Sequence, residues 1–175
     1  NLKWIGIVIL AVVITACSGA IEYNNMSFDN NQYSLDAPTY MEKQAYGNEA
    51  TSMEYGNEMR AHFAMVIAET KQLLEDVELV FTIEAYAECA VNFTKDSIND
   101  AQVERVHDDI KVINGLESIS FKLRGIFEEI GEELFYYITI FKSDDNFYNL
   151  TSYTTGRIDA IPFLTRVCSC GEIQR

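Results

Sequence analysis

Cys17 is the residue whose surroundings say most about chemistry. It closes the run Ile14-Thr15-Ala16-Cys17, and an unbroken apolar stretch from Trp4 to Val13 follows Lys3. A positive start, a short apolar core and small residues at the cut are the layout of a secretory signal peptide. The cut falls after Ala16, which puts a thiol at the first position of the remaining chain. A transmembrane span needs roughly 20 apolar residues, and the stretch before Cys17 is shorter and runs straight into Ser18 and Gly19. Little else in the chain is arranged for reaction. His62 and His107 are the two histidines. His62 falls in an apolar run and reads as a hydrogen-bonded core or rim residue, because no Ser, Cys or Asp partner is placed beside it. His107, in Arg105-Val106-His107-Asp108-Asp109, reads as surface.

The Ile-Thr-Ala-Cys run resembles the lipobox of bacterial lipoproteins. That resemblance implies that the Cys17 thiol carries a diacylglycerol, that residues 1–16 are removed and that the new amino terminus is acylated. Two such attachments are enough for stable anchoring. The expected location is therefore the cell envelope, on the periplasmic or surface side. The net charge of −14 repels nucleic acid and anionic headgroups, so the lipid, and not a basic patch, is what holds the domain to a membrane.

With Cys17 lipidated, Cys89, Cys168 and Cys170 remain. An odd count outside the cytoplasm leaves one free thiol or an intermolecular bond. The spacing Cys168-Ser169-Cys170 does not suit zinc without two further ligands, nor a Cys-x-x-Cys redox pair. These residues read as small buried hydrophobes, or as a disulfide between Cys89 and one of the pair. Glu128, Glu129, Glu132 and Glu133 form one acidic turn, and Asp144 with Asp145 another. Neither matches a calcium loop, and successive turns of a meander lie at opposite ends of its strands. They read as solvated turns. No metal, cofactor or catalytic residue is assigned.

The elements that must carry these groups follow from the pattern. Residues 17–27 read as a lipidated cysteine and polar tether, and residues 28–175 as one domain long enough to bury a core. Strands are expected over Phe28–Asp36, stopping at Pro38, and Thr51–Tyr55, with a turn at Gly56-Asn57. Met59–Ala68 is expected as a central strand buried on both faces. Thr82–Lys95 is expected as a helix, with Ile83, Tyr86, Ala87, Ala90 and Phe93 on one stripe. Val103–Val112 fits a turn of helix or a strand equally. The strongest signal is a three-stranded meander: Leu116–Arg124 alternates, Leu134–Lys142 is β-branched and aromatic, and Phe147–Thr155 is aromatic and Thr-rich, with turn chemistry at Ser143–Asn146. A short helix is expected over Asp159–Val167. The fold class is α+β, an antiparallel sheet with flanking helices.

Five stretches in this order resemble the PsbP-like α/β/α sandwich, shared by the photosystem II extrinsic protein and many small envelope lipoproteins. They are FDNNQYSLDAP (Phe28–Pro38), ATSMEYGNEMRAHFAMVIAETK (Ala50–Lys71), Ile113-Asn114-Gly115-Leu116, and Phe147-Tyr148-Asn149-Leu150-Thr151 with the closing Val167–Ile173. Cys170 and Gly171 depart from the aromatic finish usual there. The resemblance implies a non-enzymatic binding, assembly or accessory protein and carries over no catalytic residue. Tyr136, Tyr137, Phe141, Tyr148 and Tyr153 on adjacent strands are the candidate interaction surface, since exposed tyrosine-rich faces are common at interfaces. The expected partner is an envelope protein. The alternative is a small-ligand or metal-binding envelope protein, which needs a concave apolar pocket.

Overall fold

The structure, a computed structural model, describes residues 21–28, 33–44, 51–76 and 81–155. Strands β1 (Tyr23–Phe28) and β2 (Tyr33–Pro38) form an antiparallel hairpin. Strands β3 (Glu42–Lys43), β4 (Thr51–Asn57) and β5 (His62–Thr70) follow. Helices α1 (Lys71–Asp76) and α2 (Ile83–Asp96) come next. Strands β6 (Asn99–Arg105), β7 (Lys111–Ile113), β8 (Leu116–Phe127), β9 (Glu132–Lys142) and β10 (Asn146–Thr155) complete the described chain. The larger sheet is antiparallel and eight-stranded, in the order β3-β4-β5-β10-β9-β8-β6, with β7 also pairing β8. The α+β class expected from the sequence is what the chain adopts.

The meander matches its pattern closely, because strand alternation and turn chemistry agree there. β8 and β9 pair from Glu117 with Lys142 to Phe127 with Glu132, and the Lys142 ammonium closes on the Glu117 carboxylate at 2.7 Å. Helix α2 starts where Thr82 caps it: the Thr82 hydroxyl accepts from the Ala85 N–H at 3.2 Å, satisfying a donor the first turn leaves open. Glu84 in the first turn and Lys95 in the last complement the helix dipole.

Each face of the sheet has its own core. On one, Ile83, Tyr86, Ala87 and Val91 of α2 pack against Ile119, Leu123, Ile138, Ile140 and Phe147. On the other, Leu35 and Met41 pack with Met53, Val66, Leu116, Tyr137, Phe141, Tyr148 and Leu150.

Several expectations are corrected. The tether does not reach residue 27, since Tyr23–Phe28 is already strand. Its alternation is hidden by asparagine: the Asn25 amide donates to Ser34 Oγ at 3.1 Å and to Asp36 Oδ1 at 3.0 Å, so polar groups do cross-strand work usually given to apolar ones. The turn after β4 is not Gly56-Asn57 but a 3₁₀ turn, Glu58–Arg60, whose first N–H groups are met when Asn57 Oδ1 accepts from Arg60 N at 2.9 Å. β5 is fully buried on one face only. His62, Ala64 and Val66 are buried, whereas Phe63, Met65 and Ile67 are half-buried. The Val103–Val112 stretch resolves into strand, as β6 and β7. The expected helix over Asp159–Val167 lies outside the described residues.

Candidate interaction groove

Helix α2 is shorter than the sheet it covers. It stops at Asp96, and beyond that end the same sheet face is left as an open groove of about 680 Å³. The floor comes from alternate residues of three neighbouring strands: Phe63, Met65 and Ile67 of β5, Asn149, Thr151 and Tyr153 of β10, and Leu134 and Tyr136 of β9. One wall is the last turn of α2, through Phe93, Thr94 and Ser97. Phe127, Ile130 and Glu132 at the β8–β9 turn form a second, and Glu58 with Ala61 at the β4–β5 turn a third.

An aromatic ladder crosses the floor. Phe63 lies opposite Tyr153, and Tyr153 opposite Tyr136. The first pair stacks at 5.0 Å between ring centroids, 17° apart in plane, and the second at 5.5 Å and 29°. Cross-strand aromatic pairs of this kind stabilise a sheet, and rings stacked on one another turn their edges to the groove. The ladder stops at Gly56, which pairs with Phe63. A Cβ there would lie 2.7 Å from Phe63 Cδ1, so the missing side chain is what lets the Phe63 ring lie over β4. Burial raises the Tyr136 phenol above its ordinary range, so at neutral pH the hydroxyl stays protonated and able to donate.

The rim is apolar and exposed. Met59 is 91% exposed, Phe93 83% and Ile130 55%. Phe93 and Ile130 line the groove, and Met59 sits in the turn between Glu58 and Ala61, which also line it. The charged lining residues are Glu58 and Glu132, and no lysine or arginine is among the described residues that line it.

Structures similar to this chain share the architecture at low identity. The cyanobacterial PsbP protein (CyanoP) from Synechocystis sp. PCC 6803 matches with a TM-score of 0.55 at 13% identity, over 90% of this chain and 95% of that one. The Saccharomyces cerevisiae Ran-binding protein Mog1p matches at 0.54 and 8%, over 82% of each chain. LpqN, involved in cell envelope biogenesis of Mycobacterium tuberculosis, matches at 0.55 and 9%, over 90% and 93%. The fold is Mog1/PsbP-like. No family model and no curated protein matches the sequence of this Mog1/PsbP-like chain.

The Mog1/PsbP-like sheet divides the five aromatic residues read from the sequence as one interaction surface. Tyr136 and Tyr153 are together on the groove floor. Tyr137, Phe141 and Tyr148 point into the opposite core at 5%, 0% and 0% exposure, and Asn146 Nδ2 donates to the Tyr148 hydroxyl at 2.9 Å. A single patch of all five is therefore corrected to two separate groups, because strand side chains alternate with period two. Cys17, Cys168 and Cys170 lie outside the described residues. Cys89 is exposed on α2, not the small buried hydrophobe expected.

His62 is buried, with Nδ1 2.8 Å from the Tyr40 hydroxyl, and Arg60 lies 4.3 Å over the Tyr40 ring. His107 is exposed. The two acidic turns lie at opposite ends of β9, and among the described residues no group of three His, Cys, Asp or Glu side chains converges. Among them, too, no helix is long and apolar enough to cross a membrane.

Sequence reasoning missed Phe93, Ile130, Met59 and Phe63. Phe93, expected on the buried stripe of the helix, is instead 83% exposed. It follows buried Tyr86 by seven residues and lies about 20° from it around the helix, so the helical period carried no signal of its exposure.

Proposed function

We propose that this chain is a non-enzymatic envelope lipoprotein, anchored through lipid on Cys17, whose domain docks another protein as an accessory or assembly subunit. The observation that carries the reading is the groove beside the end of α2: an aromatic floor ringed by the exposed side chains of Met59, Phe93 and Ile130. A chain gains nothing in folding by leaving such residues in water, and exposed apolar surface of this kind marks interaction sites. Support also comes from similar structures. Mog1p is a Ran-binding protein, and LpqN is involved in cell envelope biogenesis. The lipobox resemblance supplies the anchor.

The test is cross-linking in the native cells from a photoreactive residue at position 93, with position 112 on the β7 hairpin as control. The expected result is one stoichiometric envelope partner captured from 93 and not from 112. Equal capture from both positions, or none, removes the docking reading.

The groove volume favours a second reading, a small apolar ligand, since such sites commonly enclose about 300–1,000 Å³. A melting temperature that rises with one member of a ligand panel, and not in a Tyr153→Ala variant, would support it.

A further inference from the structure

We infer that the groove takes a cationic amphipathic segment of a protein partner: an apolar anchor seated on the aromatic floor, with lysine or arginine beside it. This rests on the docking reading above and adds the chemistry of what docks. Two observations carry it. The apolar surface extends past the groove itself, because Met59, beside the lining residues, is 91% exposed. A small molecule lying on Phe63, Tyr153 and Tyr136 would leave it in water, whereas a peptide crossing the groove covers floor and rim together.

The lining charge is acidic. Glu58 and Glu132 stand on different walls, and no lysine or arginine is among the described lining residues. Arg60 and Lys95 stand beside the lining, Arg60 held over the Tyr40 ring. Glu128 and Glu129 precede Ile130 on the same turn and are exposed. An acidic partner would bring like charges together at close range. A cationic one pairs with the carboxylates of both walls.

The test uses the full chain in zwitterionic nanodiscs and three short fluorescent peptides of one amphipathic pattern: leucine with lysine, leucine with glutamate, and leucine with glutamine. Anisotropy should report binding of the lysine peptide only. Phe93→Ser and Tyr153→Ala should each weaken it about tenfold, the size expected of a central anchor. Glu58→Gln combined with Glu132→Gln should weaken it several-fold and flatten its salt dependence. Near-ultraviolet circular dichroism checks that the variants fold, and Phe93, being exposed, is the safest of them.

Lysine-peptide binding that ignores all groove variants would mean diffuse attraction to a chain of net charge −14, and would overturn the inference. Equal binding of the glutamine or glutamate peptide, lost in Phe93→Ser, would overturn the charge requirement and leave docking intact. If no peptide binds while position 93 still captures a partner in cells, the inference fails alone. Capture of a second copy of this chain from position 93 would overturn it in favour of self-association.

Discussion

The Tyr86 hydroxyl on α2 donates to the Glu69 carboxylate at the end of β5, and the Tyr86 ring stacks on Phe147 of β10 at 4.5 Å with planes 7° apart. One side chain thus ties the covering helix to two strands, by a charge-assisted hydrogen bond and by an aromatic stack. Burial, and then the hydrogen bond to Glu69, raise the Tyr86 phenol well above its ordinary range. Tyr86→Phe keeps the stack and removes the bond. It should cost about 1–3 kcal/mol, the range for losing a bond to a charged group and leaving its partner half-buried. Urea unfolding measures it. An unchanged midpoint would mean that the bond contributes nothing net.

Tyr40 predicts an alkaline limit to stability. Burial pushes its phenol from 10.0 up to about 12, with Arg60 pulling down and Tyr23 pushing further up. A group held protonated more tightly when folded adds stability that is complete below its unfolded pKa. That stability is lost as pH rises toward the folded value. The melting temperature should therefore fall between pH 10 and 12, and Tyr86 and Tyr136 add contributions of the same sign. Tyr40→Phe should flatten part of this fall. A pH profile as steep in the variant as in the parent would exclude Tyr40 as a source.

Gly125 marks a close approach between strands. A Cβ built there would lie 2.7 Å from the Asn99 carbonyl oxygen and 2.9 Å from Ile98 Cδ1. The backbone oxygen cannot step aside as a side-chain tip can. Gly125→Ala should destabilise by about 1–3 kcal/mol through overpacking, with faster amide exchange in β6. Gly131→Ala is an internal contrast. No atom lies within 4 Å of its Cβ, and a φ of +65° is the only obstacle, so its cost should be nearer 1 kcal/mol.

Cys17→Ala tests the anchor. The substitution should abolish labelling by a radioactive fatty acid and leave a larger, unprocessed precursor on a gel. Labelling that persists in the variant would remove the lipoprotein reading and leave the fold untouched.

The meander was readable because β8 alternates, β9 and β10 are β-branched and aromatic or Thr-rich, and the turn between the last two carries Ser, Asp and Asn. Helix α2 was readable from its stripe and its Thr82 cap. β1 was not, since Met26 packs on the core while Asn24, Asn25 and Ser27 beside it are exposed, too few apolar positions to show a period. β6 was not, because Asn99–Arg105 is a largely exposed edge strand with a register shift between Asn99 and Gln102, and so carries almost no apolar pattern. α1 is six residues long with none buried, too short and too polar to show a period.

The groove was half legible. That tyrosines lined adjacent strands could be read, but which of them shared a face depended on pairing register. That Phe63 joined Tyr153 depended on a turn placed at Glu58–Arg60, and the opening itself exists because α2 ends at Asp96. Those are facts about distant residues in space, and no local window holds them.

Tyr136 and Tyr137 are neighbours in the chain, yet one floors the groove and the other is sealed in the opposite core. A slip of β9 by one residue would exchange them and all their alternates together. The groove floor and the interior are therefore two sides of one printed page. Replacement at Phe63, Tyr153 or Tyr136 changes what a floor position carries but not where the strand is set, so the surface proposed to dock a partner is open to change by substitution and closed to change by shifting the strand beneath it.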